Sequence, residues 1–132
     1  MIAVDLNADG RIDLVTADSQ TDAVSVLRNL GNGAFAADVT YAVDKAPASV
    51  AAADVNGDGY PDLVTASPSS NTVSVLRNLG NGTFAPAVAF AAGNRPCSVA
   101  AADVNADGRM DLVAANEYPD SVVSVFLNIP RA

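Results

Sequence analysis

The chain contains no histidine and no tryptophan, and its only glutamate is Glu117. Without histidine, neither a Ser/His/Asp triad nor a Cys/His pair can be assembled. The single cysteine, Cys97, cannot form an internal disulfide, so cysteine usage says little about compartment. Bases are scarce too: seven Lys and Arg stand against fifteen acids, for a net charge of -8. No basic face is available to neutralise phosphates, which argues against a nucleic-acid partner. No apolar run approaches the ~20 residues of a membrane-spanning helix. Met1-Ile2-Ala3-Val4 is too short for a signal peptide, so either export information lies elsewhere or the chain is cut from a longer one. Aromatics are few, and half of the 132 residues are hydrophobic, mostly Ala and Val. That composition suits small side chains packed closely in sheets. A chain of this length can bury roughly 68% of its unfolded surface, enough for a core.

The acidity is concentrated. One nine-residue string occurs three times, as Asp5 to Asp13, Asp54 to Asp62 and Asp103 to Asp111, each copy 49 residues after the last. Nine of the fifteen acids lie inside these strings. Outside them, six acids face five bases, so the scaffold is nearly neutral. The repeat also extends beyond the strings. Leu14-Val15-Thr16-Ala17 returns as Leu63-Val64-Thr65-Ala66 and as Leu112-Val113-Ala114-Ala115. Val24-Ser25-Val26-Leu27 returns as Val73 to Leu76, and as Val123 to Phe126 one residue late. The extra residue falls in the loop Glu117 to Ser121. A period of ~40–50 residues is that of a propeller blade.

Each period reads as four strands, A to D. Strand A is Ser49 to Asp54 and Ser98 to Asp103, where Ala52, Ala53, Ala101 and Ala102 suit the crowded axis of a propeller. Strand B is Asp62 to Ala66, and strand C is Thr72 to Asn78, with alternating apolar and polar residues. Gly80-Asn81-Gly82 supplies the positive φ angles of a tight hairpin, and strand D follows from Phe84 to Phe90. The expectation is an all-β chain of three four-stranded propeller blades, the third lacking its outer strand. Residues 1–132 then form one domain or partial propeller, with repeats at about 1–48, 49–97 and 98–132.

The string has the make-up of a calcium loop. A hard cation takes six to eight oxygen ligands at ~2.3–2.6 Å. Positions 1, 3, 5 and 9 provide side-chain oxygen: Asp5, Asn7, Asp9 and Asp13; Asp54, Asn56, Asp58 and Asp62; Asp103, Asn105, Asp107 and Asp111. Position 7 offers a backbone carbonyl, from Arg11, Tyr60 or Arg109. Position 6 is always glycine, where the chain turns sharply. An Asx-rich turn that binds nothing is the plain alternative. Three carboxylates within ~4 Å repel by about 1 kcal/mol per pair in water and about 4 at an effective dielectric of 20, a cost without return in a mere turn. An EF-hand or dockerin loop shares the opening residues. However, an EF-hand needs Glu at position 12 and a following helix, whereas here position 12 is Thr16, Thr65 or Ala114 and strand-like residues follow.

The pattern D-x-N-x-D-G-x-x-D-L-V, then V-S-V-L, N-G-x-F and a Pro-containing return, resembles the FG-GAP/VCBS repeats, the blades of integrin-alpha-type β-propellers and of many bacterial extracellular proteins. The resemblance covers almost the whole chain. It implies calcium in the A–B loops, one ion per repeat and three per chain, held by the residues named above. It also implies a non-catalytic scaffold for adhesion or protein interaction at the cell surface or outside the cell. Modules of that kind bind calcium with dissociation constants of ~0.1–1 mM, and their loops would stand empty in a cytosol. Two alternatives remain open, a carbohydrate-binding lectin on the same scaffold and a fragment of a larger extracellular enzyme. For a lectin, Tyr60 and Tyr118 are the candidate aromatic platforms. Propellers close with 4 to 8 blades, so three blades imply association, with a six-bladed homodimer as the expectation. Tyr41, Phe90, Phe35 and Phe84 read as inter-blade core, Cys97 as a small buried residue, and Arg28 and Arg77 as solvated charges at strand ends.

Overall fold

A computed structural model describes residues 1–117 and 122–128. Among these the fold is all-β, with no helix. The chain runs through β1 (Ile2–Val4), β2 (Asp13–Asp18), β3 (Ala23–Leu27), a small hairpin of β4 (Asn29–Gly31) and β5 (Ala34–Phe35), and β6 (Val39–Ala42). Strands β1, β2, β3 and β6 make an antiparallel sheet in that order. A second sheet repeats the plan with β7 (Ser49–Ala53), β8 (Asp62–Ser67), β9 (Thr72–Leu76) and β10 (Val88–Ala91). The third has three strands, β11 (Pro96–Ala102), β12 (Asp111–Asn116) and β13 (Val123–Phe126). Ala66 pairs with Val73 in the second sheet and Ala115 with Val123 in the third, which fixes the one-residue offset of the third copy.

The alternation along each strand decides which sheet it faces. On β8, Leu63 joins Val15, Val24, Val26, Val50 and Leu76 in a core between the first and second sheets. Its neighbours Val64 and Ala66 join Val73, Val99, Leu112 and Ala114 in a core between the second and third. The middle sheet is therefore covered on both faces, and every residue of β8 is buried. Burying a leucine such as Leu63 contributes roughly 1.5–3 kcal/mol. The first strands of successive sheets, β1, β7 and β11, lie side by side along the stack. At the end opposite the acidic strings, Asp22 and Asn71 take φ of 55°, a conformation that Asp and Asn tolerate better than most residues. Their side chains accept hydrogen bonds from Ala46 N and Arg95 N, tying each sheet to the connection that leads to the next.

Several expectations need correction. Strand D of the second copy starts at Val88, not Phe84. Phe84 makes an isolated bridge with Asn78, and Pro86, with no N–H to donate, interrupts the ladder. Strand A of the third copy starts at Pro96, two residues early, through an irregularity between Pro96 and Ser98. Cys97 sits in that irregularity and is only partly buried, its thiol 3.5 Å from Ala115 O. Of the four repeated aromatics, Tyr41 and Phe84 meet edge to face at 5.4 Å across the first two sheets. Phe35 and Phe90 are exposed instead. Phe35 stands in the small β4–β5 hairpin, and Phe90 on the edge strand β10, where it lines an open groove with Leu112 and Phe126 of the third sheet. Arg28 and Arg77 are exposed strand-end residues. Tyr118 and most of the enlarged loop lie outside the described residues.

Candidate metal centre

All three acidic strings form the connection between the first two strands of a sheet: β1–β2, β7–β8 and β11–β12. Position 9 opens the second strand and pairs with the last residue of the first, as Val4 with Asp13, Ala53 with Asp62 and Ala102 with Asp111. The loop is thus closed at its base by the sheet itself. The three loops stand at the same end of the stack, close enough for hydrogen bonds between adjacent sheets to form there.

Within each loop the same contacts recur. One oxygen of the position 1 carboxylate accepts from the position 6 glycine N at 2.8 Å, in Asp5–Gly10, Asp54–Gly59 and Asp103–Gly108. The other accepts from the position 5 N at 3.0 to 3.3 Å. The position 5 carboxylate in turn accepts from the N of Arg11, Tyr60 or Arg109 at 2.8 to 3.0 Å. The glycines at position 6 have φ of 82°, 89° and 85°, which bring the chain back toward the first aspartate.

Position 9 is different. Asp13, Asp62 and Asp111 are fully buried. Each holds two backbone N–H groups, one per oxygen. The first comes from position 2 of its own loop (Leu6, Val55 or Val104, at 2.9 to 3.0 Å). The second comes from an asparagine just beyond strand C (Asn29, Asn78 or Asn128, at 2.8 Å). Position 9 therefore clasps the loop to the sheet, and each oxygen keeps a second lone pair.

The charge at the site is under tension. Burial pushes the Asp62 carboxyl above the ordinary carboxylate range. The N–H groups of Asn78 and Val55 oppose this, and the charges of Asp58 and Asp54 reinforce it. For Asp54, burial also pushes upward, but the N–H groups of Gly59, Gly57, Asp58 and Asn56 outweigh it and hold the carboxyl below that range. In the third loop, oxygens of Asp103, Asp107 and Asp111 gather within 4.8 Å of one another, the one such group among the described residues; the carboxylates of the first two loops are not so gathered. In one orientation the amide oxygen of Asn105 lies 3.1 Å from an oxygen of Asp103 and 3.1 Å from one of Asp107. Such an array of acceptors is relieved by turning the amide, so that its NH2 donates to both, or by a cation. The donor set is hard oxygen only, which fits calcium and does not fit a thiophilic metal.

The position 7 side chains fold back over the loops. Arg11 and Arg109 approach Asp9 and Asp107 at 3.9 Å, in exposed contacts that are worth little. The Tyr60 ring lies against Gly80, 3.4 Å from where a Cβ would stand. Two features were not read from the sequence. Position 4 is left-handed in each loop, with φ of 61° at Ala8, 77° at Gly57 and 61° at Ala106. The asparagines Asn29, Asn78 and Asn128 recur in register and would have been visible as a repeat, but their partners lie across the fold.

A family model described as an FG-GAP-like repeat matches residues 5–65 and, one period on, 54–114. Each match runs from the first aspartate of one acidic loop into the second strand of the next sheet. None of the curated proteins matches the chain. Among the described residues no helix is long and apolar enough to cross a membrane.

Proposed function

The chain belongs to the FG-GAP-like repeat family, whose repeats make propeller-type interaction scaffolds, and on that premise we propose that it is a calcium-loaded, non-catalytic scaffold for adhesion or protein interaction outside the cell. The observation that carries the proposal is the threefold recurrence of one oxygen-rich loop in the same place on three stacked sheets, each built by the same hydrogen bonds. A turn needing no ion would have no reason to keep nine carboxylates there. Calcium would be held by Asp5, Asn7, Asp9 and Asp13 and their counterparts, with carbonyls of Arg11, Tyr60 and Arg109. It would offset the burial, and the lesser repulsion from Asp58 and Asp54, that raise Asp62, and tie the loop tip to its buried base. Repeats of this family are typical of extracellular proteins, where calcium near 1 mM suffices for weak loops.

The stack also supports assembly into a ring. Its third sheet turns Val123 and Val125 to solvent, the counterparts of residues that the middle sheet packs against its neighbour. A second copy would cover that face with the Leu14 and Leu27 face of its first sheet, as six blades in a two-fold dimer. The lectin alternative has less support, since Tyr60 is engaged with Gly80. The test is a melt with and without EDTA together with elemental analysis. A lower melting temperature in EDTA and bound calcium support the reading; an unchanged melt with no metal removes it.

A further inference from the structure

Asn78 joins two loops. Its side-chain N–H groups donate to Leu6 O of the first loop at 2.7 Å and to Pro61 O of the second at 3.0 Å. Its backbone N donates to Asp62 at 2.8 Å, and its side-chain oxygen accepts from Gly80 N at 2.9 Å. The residue is 2% exposed, and both Leu6 and Asp62 are fully buried. Asn128 repeats the arrangement one sheet further on. It donates to Val55 O of the second loop at 2.6 Å and to Met110 O at 3.2 Å, and its backbone N reaches Asp111 at 2.8 Å. Leu6 N and Val55 N are themselves bonded to Asp13 and Asp62. Asp13 is thus linked through residues Leu6 and Asn78 to Asp62, and Asp62 through Val55 and Asn128 to Asp111, by hydrogen bonds at the backbone of each residue and at the side-chain amides of the two asparagines. Asn29, in the same repeat position, donates within its own repeat, to Ile12 O at 2.9 Å.

Resting on the calcium reading of the loops, we propose that Asn78 and Asn128 are positioning residues that couple adjacent calcium sites, so that filling one loop raises the affinity of the next. Position 2, which supplies the carbonyl, sits between two ligand residues, Asp5 and Asn7 in the first loop. An ion that orders this loop fixes the direction of the Leu6 carbonyl. That carbonyl orients the Asn78 amide, and the Asn78 N–H pins the Asp62 carboxylate in the place where the second ion needs it. The second site then has less disorder to remove on binding, which is positive cooperativity without a change of fold. The coupling is reciprocal between neighbours.

Tyr60 makes the test specific, because among the position 7 residues it alone can sensitise terbium, a calcium surrogate, and so report the second loop. Terbium is titrated into the full chain, into a chain with the first loop disabled by Asp5→Asn, and into each of these carrying Asn78→Ala. Disabling the first loop should weaken terbium binding at the second by about fivefold or more, the ordinary range of coupling between sites. Asn78→Ala should weaken it similarly and abolish any further response to Asp5→Asn. Asn29→Ala, which loses the same local bonds but no bond to another loop, should leave the second loop unchanged. Asn128→Ala, at the more exposed edge, provides the same test against Asp103→Asn should Asn78→Ala not fold. Terbium binding at the second loop that ignores its neighbours, or a dependence that survives the asparagine variants, would overturn the coupling and leave the calcium reading standing. No terbium or calcium binding at all would overturn both.

Discussion

Val73 and Val123 hold the same place in the repeat, yet Val73 is fully buried and Val123 is 62% exposed. Leu6 and Val104, both at position 2 of an acidic loop, are 0% and 49% exposed. The local sequences barely differ. What differs is the neighbour: the first and second sheets each have a following sheet to cover them, and among the described residues the third has none. Burial in this chain is thus a property of stacking. Stability in such quasi-one-dimensional arrays is approximately a sum of each repeat's own stability and its contacts with neighbours.

The sharpest way to break that comparison is to truncate equivalent leucines. Leu63→Ala empties the core between the first two sheets and should cost about 2–5 kcal/mol by urea denaturation. Leu14→Ala, at the same repeat position on the outer face of the first sheet, should cost less than half as much when compared in the Val123→Lys background, where the two-fold ring cannot form. Equal costs there would mean that the outer face is covered even in the separated chain. Next in size is calcium. At tenfold excess over the dissociation constant, each loop gains about 1.4 kcal/mol, and three gain roughly 4. EDTA should then lower the melting temperature by roughly 5 to 15 °C. The loops themselves offer a finer contrast. Ala8 and Ala106 carry a left-handed backbone for which the second loop uses Gly57. Ala8→Gly and Ala106→Gly should each stabilise by about 1 kcal/mol, and Gly57→Ala should destabilise by a similar amount. Val123→Lys should change the stability of the separated chain by less than about 0.5 kcal/mol while abolishing self-association, read by light scattering against the 13.3 kDa chain mass.

The smallest effect concerns protons. In EDTA, carboxyl carbon shifts should show Asp62 titrating above the ordinary carboxylate range and Asp54 below it. Their contributions to stability have opposite signs. The depressed Asp54 stabilises above its unfolded pKa, and this is lost as pH falls through its folded value. The raised Asp62 costs stability when ionised, and that cost is relieved as pH falls through its folded value. Calcium should move both carboxyls down and so remove the relief at Asp62.

Much of this was legible in the sequence because it is written three times. The strings fix the A–B connections, and the Val/Leu alternation fixes strands B and C to within a residue or two. What was missed depends on distance in the fold. An apolar run from Phe84 to Phe90 marks a strand D but does not show that Phe84 only bridges to Asn78 while Pro86 delays the ladder. Phe35 and Phe90 repeat like core residues, and only the three-dimensional arrangement shows that both are exposed. The sequence position of Asn78 beside Arg77 says nothing of Leu6, 72 residues away. Position 9 read only as a ligand, and the structure adds its role as the clasp between loop and sheet.

Isothermal titration calorimetry of the EDTA-stripped chain with calcium tests the central claim most directly. The account expects three calcium ions per chain, with heats lost loop by loop in Asp5→Asn, Asp54→Asn and Asp103→Asn. A chain that stays folded and takes up no calcium at millimolar concentration would contradict it.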